Sequence, residues 1–86
     1  MFSVVKWIDL STFLLLCHEA GVEMKLVYTR GMDKHSVVTD HTMVYRLGDV
    51  ECPFYRQQNG NFAASDQHPQ TILMLREINK EVAKIA

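Results

Sequence analysis

In DLSTFLLLCHEAGVEMKLVYT, residues 9–29, the hydrophobic period changes once, at a glycine. Asp9 or Ser11 can cap a helix, and good helix formers follow to about Ala20. Leu10, Phe13, Leu14, Cys17 and Gly21 recur at spacings of three and four and share one side, with Ser11, His18 and Glu19 elsewhere. Gly21 stands where a chain leaves a helix through the left-handed region. Beyond it the period falls to two. Val22, Met24, Leu26 and Tyr28 alternate with Glu23, Lys25, Val27 and Thr29, the pattern of a half-buried strand. Helix, glycine and strand form the first unit, and the helix's apolar side calls for a sheet.

Before this unit, residues 2–8 (FSVVKWI) favour a short strand by their β-branched and aromatic content. After it, residues 30–36 (RGMDKHS) lack apolar periodicity and read as an exposed loop. Val37 to Leu47 reads as a strand, Gly48-Asp49 as a turn, and Val50 to Gln57 as a further strand. Asn59-Gly60 is a two-residue hairpin signal leading into Asn61 to Ala64. Pro53 cannot donate a ladder hydrogen bond, which places its strand at a sheet edge or a bulge.

Asp66 or His68 opens the last helix, with Pro69 in its first turn. Ile72, Leu75, Ile78, Val82 and Ile85 form its apolar stripe, widened by Leu73 and Met74, while Arg76, Glu77, Lys80, Glu81 and Lys84 face water. The pattern predicts an α+β two-layer sandwich: a mainly antiparallel sheet of three to five strands with two helices packed on one face. The other face is left to solvent or to a partner.

Eighty-six residues suffice for one core, so residues 1–86 are expected to form a single domain. A hydrophobic share of 48% with 22% charged residues is ordinary for a globular chain. At this size, self-association can supply part of the stability. A formal net charge of -1 gives no general field for drawing nucleic acid or an anionic membrane. Cys17 and Cys52 are too few for a disulfide framework and read as reduced thiols. The apolar run Phe13 to Cys17 suggests a leader, but Asp9 interrupts it and Leu16 fills the place where a lipoprotein signal needs a small residue. It is also far shorter than the roughly 20 residues of a membrane span. The expectation is a cytoplasmic protein with no membrane contact.

Titratable groups are densest between residues 30 and 49: Arg30, Asp33, Lys34, His35, Asp40, His41 and Asp49. Imidazole and carboxylate are zinc ligands, and three of them with an open position make a hydrolytic site. His35, His41 and Asp49 are the candidate metal set. The adjacent Asp40 and His41 point to opposite faces of a strand and cannot chelate one ion side by side. The competing reading is a polar loop with exposed charges, since no HExxH or CxxC spacing occurs.

A helix and strand over Phe13 to Arg30, then His41 and Asp49, then a hairpin from Val50 to Phe62, resemble in their order the small phage-type M15 endopeptidases that cleave peptidoglycan cross-bridges. The resemblance implies zinc held by His41 and Asp49, in a hydrolase or an inactive relative. The His-to-Asp spacing is one residue longer than in that family. The chain ends in a helix in place of an HxE segment, with His68 as the sole later histidine.

Other chemistry has less support. Cys17 and His18 are helix neighbours and do not face each other, and the four glycines are isolated in separate turns, unlike a phosphate-binding loop. Arg76, Lys80 and Lys84 line up but are diluted by Glu77 and Glu81, the pattern of a solvated helix face. Phe54, Tyr55 and Arg56 precede the Asn59-Gly60 turn, and aromatics with arginine are enriched at interface hot spots. Phe54 and Arg56 share one face and Tyr55 the other, so at least one ring is core.

The resulting expectation is a small non-enzymatic binding protein without a cofactor. It acts through an open sheet face and the Phe54, Tyr55, Arg56 hairpin, on a protein partner or on a second copy of itself. A zinc-dependent hydrolase is the first alternative. A nucleic-acid-binding module using Arg30, Lys34 and Arg56 is the second.

Overall fold

The computed structural model describes residues 5–32 and 38–85. In chain order these form β1 (Trp7–Asp9), α1 (Leu10–Glu19), β2 (Lys25–Met32), β3 (Val38–Leu47), β4 (Val50–Arg56), β5 (Phe62–Ser65) and α2 (Pro69–Ile85). The strands make one antiparallel sheet in the order β1-β5-β4-β3-β2. Both helices contribute to one core with the same face of that sheet. Phe13 and Cys17 of α1 and Met74 and Ile78 of α2 cluster with Cys52, Phe54 and Ala64 of the strands. This is the expected two-layer α+β sandwich, with five strands. No helix among the described residues is long and apolar enough to cross a membrane.

The helix-glycine-strand unit forms with adjusted bounds. Asp9 is the N-cap of α1 by its extended backbone, though its side chain makes no capping bond. Gly21 has φ 75°, the left-handed exit that its lack of a Cβ permits. The buried side of α1 is Phe13 and Cys17, while Leu14, expected there, is 41% exposed. The next strand begins at Lys25 and continues through Arg30 to Met32, where a loop was expected. Its register to β3 shifts between Leu26 and Tyr28, so Leu26 lies opposite Tyr45 and Tyr28 opposite Val44. That irregularity breaks the simple alternation expected for this strand.

Pro53 is a second correction, for β4 is the middle strand. Leu47 and Val50 flank the two-residue Gly48-Asp49 turn and exchange main-chain bonds. Counting outward, Val44 and Pro53 form a pair that exchanges none, so the proline nitrogen is turned away from β3 towards β5. There the β4–β5 pairing runs from Arg56–Phe62 to Tyr55–Ala63 and does not reach Pro53. A central strand thus accommodates a residue without an N–H.

The β4–β5 connection is also longer than the expected two residues. The Gln57 N–H donates to the Asn61 carbonyl at 2.7 Å, and the Gly60 N–H to the Gln57 carbonyl at 2.9 Å. Gly60, at φ 86°, takes the left-handed position of this loop.

Pro69 opens α2, and His68 precedes it as the cap: its Nδ1 accepts the Gln70 N–H at 3.1 Å. The inward stripe is Thr71, Met74 and Ile78, with Leu75 half-buried, whereas Ile72, Leu73 and Val82 are exposed. The helix therefore sits rotated from the expected stripe, with a buried threonine in its first turn. The Thr71 hydroxyl lies 3.7 Å from the Cys52 thiol, which gives both polar groups a partner inside the core.

Candidate functional site

The face of the sheet turned away from the helices is built by strand alternation. Phe54 and Cys52 face the core, so Tyr55, Pro53 and Glu51 face the other way. Register then places Thr42, Val44 and Arg46 of β3 beside them, with Lys25 of β2 opposite Arg46. On the far side Ala63 of β5 lies opposite Tyr55 and Asp9, and Trp7 opposite Ser65. The open face thus carries an apolar band of Trp7, Tyr55, Pro53 and Val44, with Lys25, Arg46 and Glu51 along one end.

The band is organised around two rings. Trp7 on β1 and Tyr55 on β4 reach across β5 to meet edge to face, with ring centroids 6.4 Å apart. Between their strands Ala63 is 0% exposed, and Val44 on the neighbouring strand is 4% exposed. Neither belongs to the helix-side core, so this face has a small packed layer of its own. Trp7 itself remains 47% exposed. An exposed aromatic held by a second ring over a closed floor is a rigid apolar contact surface.

The expected hairpin residues divide between the two faces. Phe54 is 0% exposed and packs edge to face against Phe13 and Tyr45, at 5.0 and 5.7 Å. Phe54 is therefore core and out of reach of a partner, which corrects its place among the contact residues. Tyr55 is half-buried on the open face, and Arg56, exposed at the strand's end, lies 5.3 Å over the Phe62 ring on the helix side. Trp7 and Ala63 were missed by sequence reasoning. The β-branched and aromatic run before Asp9 was their one signal, and only pairing of β1 to β5 brings Trp7 to Tyr55.

Of the candidate zinc ligands, His35 lies outside the described residues, as does Lys34 of the nucleic-acid reading. His41 falls near the start of β3 and Asp49 in the turn beyond its end, about 20 Å apart along an extended strand. Among the described residues no group of three or more His, Cys, Asp or Glu is placed to hold a metal. Arg30 is in β2, with its side chain outside the description.

Two surface depressions flank α1. One, of about 400 Å³, is lined by Leu14, Cys17, His18, Val22 and Met24, among others. The other, of about 300 Å³, lies between Asp9, Ser11, Leu14, Gly60 and Phe62. Burial pushes the Cys17 thiol up from its ordinary range, opposed by a hydrogen bond from the Met24 backbone. Burial likewise raises the Cys52 thiol, opposed by the Thr71 hydroxyl. Both cysteines are free, and both stay protonated at neutral pH, which is the unreactive form.

Compared with family models, curated proteins and solved structures, the chain matches none.

Proposed function

We propose that this protein is a small non-enzymatic binding module that recognises a protein partner through the open face of its sheet. The carrying observation is the Trp7–Tyr55 pair, held edge to face over the buried Ala63 on the side free of helices. Aromatic anchors fixed by their neighbours lose little side-chain freedom on contact, and tryptophan and tyrosine are enriched where binding energy concentrates. The surrounding charges are of both signs: Lys25 and Arg46 stand with Glu51 and Asp9. Such a rim suits a protein surface better than a polyphosphate, which calls for a single-sign field.

The test compares the two sides of the molecule. Trp7→Ala with Tyr55→Ala should abolish partner capture by the tagged chain, while Leu15→Ala on the exposed side of α1 should leave it intact. Loss of capture in both variants, or in neither, removes the open face as the binding surface. Circular dichroism verifies that each variant is folded.

A further inference from the structure

We infer that the open face pairs two copies of this chain about a two-fold axis lying along the seam between β3 and β4. The inference rests on the open face being the binding surface and names its occupant. Its starting point is a pair of charges. Arg46 and Glu51 stand directly opposite each other across β3 and β4 and point to the open face. The ion pairs among the described residues are Lys80–Glu77 and Lys84–Glu81, both on α2, so Arg46 and Glu51 do not close on each other within the chain.

Rotation by half a turn about a line between the two strands and parallel to them exchanges β3 with β4 of the second copy. Arg46 then meets Glu51 of the other chain, and Glu51 meets its Arg46, so two opposite-charge contacts form from one self-complementary patch. The same operation sets Pro53 over Val44, itself only 4% exposed, and Tyr55 over Thr42 along the seam. Strands of the two sheets remain nearly aligned, as in β-sandwiches, with the sheets about 10 Å apart. That gap is within the joint reach of an arginine and a glutamate.

The axis lies off the centre of the sheet. Strands β5, β4, β3 and β2 overlap those of the second copy, and β1 with Trp7 falls at the rim. The shared area, on the order of 15 by 20 Å or about 300 Å² per copy, is below the roughly 800 Å² per partner of stable specific interfaces and belongs with weak, transient contacts. The dimer is accordingly reversible and concentration-dependent.

Sedimentation equilibrium of the full chain over a wide concentration range tests this. The wild-type mass should rise from one chain towards two. Arg46→Glu and Glu51→Arg should each weaken the dimer roughly tenfold or more, by setting like charges together twice. The double exchange, Arg46→Glu with Glu51→Arg, should restore it, because the patch is again complementary to itself. A wild-type chain that stays monomeric at the highest concentration overturns the inference, as does a double exchange no better than either single change. Either result leaves the open face to its own test, since capture that is lost with Trp7 and Tyr55 in a chain that stays monomeric means that this face takes a different protein.

Discussion

The two faces of this sheet are made by alternate residues of the same strands, yet one is a closed core and the other a thin layer under solvent. Phe54 and Tyr55 are neighbours in the chain and show the difference. Phe54 lies between Phe13 and Tyr45 beneath the helices, whereas Tyr55 has the edge of Trp7 and the floor of Ala63. A ring closed in on all sides stabilises the fold. A ring supported by two neighbours keeps a surface to offer.

The largest expected effect breaks the two rings apart. Phe54→Ala should cost about 3–5 kcal/mol, since the core cannot collapse around the missing ring, while Tyr55→Ala should cost about 1–2 kcal/mol. Urea unfolding of the two variants reads both. Equal losses would mean that the open face is as much core as the covered one.

Next comes the adjacent alanine pair, Ala63 and Ala64, each fully buried but on opposite faces. Ala64→Leu should destabilise by about 1–3 kcal/mol through overpacking against the helices. Ala63→Leu should cost less, because the added side chain can extend towards solvent on the open face. The same denaturation series, with Trp7 emission reporting the open face, distinguishes the two.

A smaller effect concerns how α2 is seated on the covered face. His68→Ala removes the acceptor for the Gln70 N–H and should cost about 1 kcal/mol, whereas His68→Asn keeps a capping side chain and should lose far less. Thermal unfolding of the two variants makes that comparison.

The smallest effect is absent at neutral pH and appears in alkali. The folded chain holds the protons of Cys17 and Cys52 more tightly than the unfolded chain, because burial raises both thiols. Above about pH 8.5 the unfolded state therefore binds fewer protons, and stability falls as pH rises. Below that range the two thiols add no pH dependence. The alkaline fall should be shallower in Cys52→Ala than in the wild type, and a thiol reagent should react with the native chain only on unfolding.

The element order was legible because hydrophobic period and turn residues are local signals. Gly21 and the Gly48-Asp49 turn divide the chain where the structure divides it. What period could not show was rotation and pairing. The register shift after Leu26 breaks the alternation without any glycine or proline to announce it. The inward Thr71 is invisible to a hydrophobic stripe, since its hydroxyl is satisfied by a cysteine 19 residues away in sequence. Pro53 was read by its missing donor alone, which presumes an edge unless strand order is known. At the open face, Tyr55 was accessible to reasoning by alternation, but its partner Trp7 is 48 positions distant, and no local pattern joins them.

The two borders of the sheet bear on how far any assembly can grow. One border is β1, three residues long, and the other is β2, whose register to β3 slips twice. Neither offers the long, even row of unpaired main-chain groups on which a further strand would template. Sideways growth of the sheet into ribbons or fibrils is consequently obstructed at both ends.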